Sequence, residues 1–133
     1  MDIQAFIDSQ PAQSKEVFAA LHQHICAIDN TVDASIGSVM GIEDGLVYEQ
    51  EGVFKYGITR TKKHFSFHSM VMYTYPELRE DLKQKTKGIK FQKGCLNFSS
   101  ADLIDHPDFV QFLKDSAQKD FGPVLRHYQN KKK

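Results

Sequence analysis

Residues 53–70 read VFKYGITRTKKHFSFHSM, and this stretch decides the fold. Phe54, Tyr56 and Ile58 alternate with Lys55, Gly57 and Thr59, and Phe65 and Phe67 alternate with His64, Ser66 and His68. Successive residues of a strand face opposite sides of a sheet, so both arms are half-buried strands. A turn centred on Thr61 and Lys62, or a longer loop over 60–63, makes them a hairpin. The implied pairing sets Thr59 against His64, Ile58 against Phe65, Tyr56 against Phe67 and Lys55 against His68. A one-residue slip would set phenylalanine against lysine and threonine, so the apolar pattern itself fixes the register.

Outward from the hairpin, the period of the apolar residues changes. Before it, Val17, Phe18, Leu21, Ile25 and Ile28 form a stripe at helical spacing over 12–28, with Pro11 at its start and Ile3, Phe6 and Ile7 in a short helix before that. His24 falls within this stripe and His22 lies off it. Asp29 and Asn30 end the helix. Residues 34–40 and 46–49 read as strands, with a turn at Glu43-Asp44-Gly45 and another at Glu51-Gly52. After the hairpin, 71–73 continue the strand. Pro76 opens a thin helix marked by Leu78 and Leu82, and Gly88 ends it. Residues 90–99 (KFQKGCLNFS) read as a last strand, with Leu96 and Phe98 on one face and Cys95 and Asn97 on the other. Asp105 or His106 caps a final helix from Pro107, striped by Phe109, Phe112 and Leu113. Segregated strands and helices predict an α+β domain, an antiparallel sheet with helices packed on one face and the other face open.

The chain has 133 residues, the size of one domain with a core spanning about residues 3–128. Ten Phe, five Tyr and no Trp predict a phenylalanine-rich core. Cys26 and Cys95 form no CxxC pair, the start MDIQAFIDSQP lacks the pattern of a signal peptide, and no apolar run approaches the ~20 residues of a membrane span. These features predict a cytoplasmic protein with reduced thiols. The net charge is zero but unevenly spread: residues 1–54 carry one Lys against nine acids, and residues 55–93 carry ten Lys or Arg against three.

Four segments occur in an order that resembles a known family: FIDSQPAQSKEVFAALHQHI, KYGITRTKKHFSFHS, YPELREDL and KFQKGCLNF. Together they are similar to the YdhG-like family of domains of unknown function, across roughly residues 3–119. The resemblance implies a frataxin-like α+β sandwich, and iron delivery by an intracellular chaperone as one function, because some members are proposed to act so. Typical members carry a Tyr-Gly-x-Pro-like segment after the second helix, where this chain reads DASIGSVMGIEDG without proline or tyrosine.

Three constellations carry candidate chemistry. Thr59, His64, Ser66, His68, Cys95 and Asn97 share the sheet face away from the helices by parity, a wall of donors, acceptors and imidazoles suited to a small ligand. Within it, Cys95 and a histidine could be pictured as nucleophile and base, though no third orienting group is visible. His64 and His68 lie about 13 Å apart on a strand, too far to chelate one metal whose bonds to nitrogen are near ~2 Å. Arg60, Lys62, Lys63, Lys87 and Lys90 form a basic set for an anion; no nucleic-acid motif or glycine-rich phosphate loop accompanies them. Glu43, Asp44, Glu49 and Glu51 are the hard-ligand cluster where iron would bind, should the chain use a cofactor. The leading expectation is a non-catalytic binding domain for a small ligand, an ion or a protein partner, with a homodimer through the open sheet face as one form of the last.

Overall fold

The apolar stripes and alternations build a six-stranded antiparallel sheet with six helices. The computed structural model describes residues 2–39, 42–61 and 64–131; the side chains of 42–44, 130 and 131 lie outside that description. In chain order the elements are α1 (Ile3–Asp8), α2 (Ala12–Ile28), β1 (Asp33–Val39), β2 (Ile42–Gln50), β3 (Val53–Arg60), β4 (Phe65–Ser69), α3 (Met70–Thr74), α4 (Glu77–Lys85), β5 (Lys90–Phe91), β6 (Cys95–Phe98), α5 (Pro107–Gln118) and α6 (Gly122–Lys131), with a short 3-10 turn at Ala101–Leu103. The strand order is β1-β2-β3-β4-β6-β5. No helix among the described residues is long and apolar enough to cross a membrane.

One face of the sheet holds the core. Leu46, Tyr48, Tyr56, Ile58, Phe67 and Leu96 are buried there beneath Phe18, Leu21 and Ile25 of α2 and Phe109 and Phe112 of α5. Phe67 sits at the centre, with its ring edge-on to Phe109 (6.1 Å) and Phe112 (6.3 Å) and stacked on Tyr56 (5.8 Å), geometries aromatic quadrupoles favour. His106 caps α5, its Nδ1 accepting from the Asp108 N–H at 3.1 Å.

The hairpin forms in a register displaced by two residues from the predicted one. Ile58 pairs with Phe67, Gly57 with His68, Thr59 with Ser66 and Arg60 with Phe65. A two-residue slide leaves every side chain on its own face, so the alternation cannot distinguish the two registers. The predicted turn centre lies partly outside the described residues, but Thr61 and His64 bracket the connection: the Thr61 N–H donates to the His64 carbonyl at 2.8 Å.

A bulge alters the faces at the start of β3. Tyr48 opposes Tyr56 and Glu49 opposes Phe54, so Lys55 is the extra residue. It turns inward beside Tyr56 and is only 2% exposed. Phe54 is carried to the opposite face, where its ring would lie 3.0 Å from a Cβ built on Gly57. The predicted placement of Phe54 in the core and Lys55 outside is therefore reversed.

Four further expectations are corrected. Residues 71–73 do not prolong β4, because the Ser69 hydroxyl accepts from the Met72 N–H at 3.0 Å and starts α3. The strand expected over 90–99 is two short strands, paired Lys90 with Asn97 and Phe91 with Leu96, around a turn closed by Gln92 N–H donating to the Cys95 carbonyl. Glu43, Asp44 and Gly45 lie inside β2 rather than in a turn. Gly45 has a packing reason to be glycine, since a Cβ there would sit 2.7 Å from the Ile58 carbonyl oxygen. Finally, the second sheet face is not open: Thr59, Ser66 and His68 are buried. Val39 lies over Gly45 and Gly57 of that face, and Phe54 over Gly57.

Candidate functional site

The buried polar row on the second face leads into a groove. His68 of β4 and Cys95 of β6 are cross-strand partners and line it together with Phe54, Met70, Tyr73 and Tyr128, with Ser69, Gly94, Gln92 and Lys93 completing the wall. Its volume is about 530 Å³, within the range of small-molecule sites. The bulge at Lys55 supplies Phe54, the helical turn at Ser69 supplies Met70 and Tyr73, and the β5–β6 turn supplies Gln92, Lys93 and Gly94. Tyr73 is 58% exposed, the one large apolar side chain left exposed among the described residues.

Burial holds the histidine and the cysteine of the groove uncharged. Burial pushes the His68 imidazole down to about 4, so it is neutral at physiological pH. Its Nε2 lies 2.9 Å from the Thr59 hydroxyl. Burial pushes the Cys95 thiol up, and the thiol donates to Gln92 Oε1 at 2.9 Å. A neutral ring engaged by Thr59 stands beside a protonated thiol engaged by Gln92, whereas a reactive pair would need a thiolate and a free base.

The six residues expected to form one wall are divided. His68 and Cys95 enter the groove and Thr59 stands behind His68. Ser66 is bonded to Asn97 through its hydroxyl. His64 and Asn97 border a separate cleft of about 280 Å³ with Gly88, Lys90 and Ser99. The basic set is also dispersed. Arg60 donates to Gln10 Oε1 at 3.1 Å, Lys90 borders the cleft just described, Lys87 borders a neighbouring one with Ser100 and His106, and Lys62 and Lys63 lie outside the described residues. Since α4 ends at Lys85, Lys87 and Lys90 both lie beyond it.

The carboxylates expected to hold iron are spread along one strand and the turn after it. All but Glu51, which sits in the turn after it, are on β2, and five strand residues put Asp44 about 16 Å from Glu49. The side chains of Glu43 and Asp44 lie outside the described ones, and among the described residues no group of three His, Cys, Asp or Glu could hold a metal. A concavity of about 660 Å³ between α4 and α5 is lined by Glu77, Glu80, Asp81 and Asp115, and two of these lie against lysines. Lys119 lies 3.4 Å from Glu77 and Lys85 lies 3.1 Å from Asp81, exposed pairs of the ordinary solvated kind.

Two histidines of α2 are satisfied structurally. His24 Nε2 lies 2.9 Å from Asp105 Oδ1, and His22 Nδ1 lies 2.7 Å from the Tyr48 hydroxyl. The polar centre missed in the sequence is Asp29–Lys55. Lys55 Nζ lies 2.7 Å from Asp29 Oδ2 and donates to Gln50 Oε1 (2.8 Å) and Thr31 Oγ1 (3.2 Å), while the Tyr56 hydroxyl donates to Asp29 Oδ2 at 2.9 Å. Asp29 reads as a helix terminator and Lys55 as a solvated strand residue; only the bulge brings them together.

Compared with protein-family models, with curated proteins and with solved structures, the chain matches none.

Proposed function

We propose that this α+β protein is a small-molecule binding domain and that the groove beside β4 and β6 is its ligand site. The observation that carries the reading is the combination of an exposed Tyr73 with an uncharged floor of His68 and Cys95 in a cavity of about 530 Å³. Ligand sites are mostly apolar concavities with a few placed polar groups, and this groove has that composition. The ligand class it fits is a small, mainly apolar molecule with one polar head.

The reading is tested by filling the groove. A Cβ built on Gly94 meets Tyr73 Cδ2 at 3.5 Å, an ordinary contact, so Gly94→Leu places a side chain against Tyr73 without a backbone clash. A panel of one- and two-ring fragments is expected to raise the melting temperature of the native protein and to leave that of Gly94→Leu unmoved. Equal shifts in both proteins, or none in the native protein, would contradict the assignment.

A further inference from the structure

The polar head that the groove recognises can be worked out from one proton. Thr59 is fully buried, and its hydroxyl has a single hydrogen-bond partner among the described residues, Nε2 of His68. A buried hydroxyl left without an acceptor is costly, so Thr59 donates and Nε2 is the unprotonated nitrogen. The ring is neutral through burial, which leaves its one proton on Nδ1. Nδ1 makes no hydrogen bond to any described residue, yet no described buried side-chain nitrogen or oxygen lacks a partner. Nδ1 therefore reaches solvent, and the cavity that His68 lines is the groove. A histidine only 6% exposed thus offers the groove one oriented N–H donor.

Two other polar side chains of the floor make hydrogen bonds within the protein. The Cys95 thiol donates to Gln92, and the Ser69 hydroxyl accepts from Met72. Among the described residues, Lys93 is the one charged residue that lines the groove, and no carboxylate lines it. The walls are aromatic, from Phe54, Tyr73 and Tyr128. A donor at the floor, a cation in the wall and flat apolar sides complement a flat ring that carries an anionic acceptor.

Resting on the groove being the ligand site, we propose that it takes an aromatic monocarboxylate, with one carboxylate oxygen accepting from His68 Nδ1–H, the negative charge facing Lys93 and the ring against the aromatic walls. An ammonium head is rejected, because it would set a cation against both Lys93 and an N–H donor.

Calorimetric titration of the native protein with 2-naphthoate, 2-naphthamide and 2-naphthylmethylammonium tests this, since the three probes share a ring and differ in the head. The carboxylate is expected to bind saturably, the amide roughly tenfold more weakly, as for losing a charge-assisted bond, and the ammonium not at all. Lys93→Ala is expected to remove the preference for carboxylate over amide. The double substitution Thr59→Val with His68→Phe, which removes hydroxyl and imidazole together and so leaves no orphaned group, is expected to weaken both. Nitrogen NMR of the His68 ring gives an independent reading, with protonation at Nδ1 expected. Equal binding of carboxylate and amide, or a proton on Nε2, would overturn the carboxylate assignment while leaving the groove a ligand site. Failure of all three probes to bind would remove both.

Discussion

A lysine ammonium taken out of water needs each of its three protons matched, and Lys55 has three acceptors, on Asp29, Gln50 and Thr31. The Phe121 ring adds a cation–π contact at 5.1 Å. For Asp29, burial pushes the carboxyl up, but the hydrogen bonds from Lys55 and Thr31 and the Lys55 charge outweigh it and hold the group below its ordinary range. Removing one member leaves the other as an uncompensated buried charge, at a cost of about 3–5 kcal/mol. Lys55→Met is therefore expected to lower urea stability by that amount, and Lys55→Met with Asp29→Asn by clearly less. A loss below about 1 kcal/mol for the single change, the size of an exposed pair, would show that the cluster is not closed to water. His68 gives a pH signature of its own. Its native value, about 4, lies below the ordinary histidine value, so between the two the unfolded chain binds more protons and stability falls as pH falls. The loss accumulates from about pH 6.5 to pH 4 and reaches roughly 3 kcal/mol. Thr59→Val with His68→Phe should flatten the stability profile over that window, and an unchanged slope would place the titration elsewhere.

Among the elements, the β2–β3 connection carries visible backbone strain. Glu51 has φ +51° and Gly52 φ +78°, the pairing of left-handed residues that two-residue hairpins use. Glycine adopts this conformation freely, whereas glutamate pays a steric penalty. Glu51→Asn is expected to raise stability by roughly 1 kcal/mol, read as a higher denaturation midpoint at unchanged slope; a lower midpoint would show that the glutamate carboxylate makes a compensating interaction. The same elements show how much of the fold was legible. The stripes of α2 and α5 predicted both helices, because a 3.6-residue period has no rival over that length. The alternation in β3 and β4 places the residues after the bulge on their observed faces, but the register it implies is displaced by two residues, since such a slide changes no face. The bulge at Lys55 was invisible, because one inserted residue leaves no mark in an otherwise regular alternation. Residues 71–73 read as strand because Val, Met and Tyr suit either state, and the Ser69 cap decided for helix.

At the scale of the whole molecule, the sheet separates two environments. One face is closed by α2 and α5 over the phenylalanine core. The other is closed by its own side chains except where α3, α6 and the β5–β6 turn leave a groove. Parity was enough to place His68 and Cys95 together on that second face. It could not reveal the apolar walls, because Phe54 arrives through the bulge and Tyr73 through an unforeseen helix. We propose that this groove binds a small aromatic ligand. The most direct measurement is an amide chemical-shift titration of the native protein with 2-naphthoate. Saturating shifts centred on His68, Tyr73, Gly94 and Cys95, and lost in Gly94→Leu, are the predicted result. Shifts that fail to saturate, or that centre on the trough between α4 and α5, would contradict it.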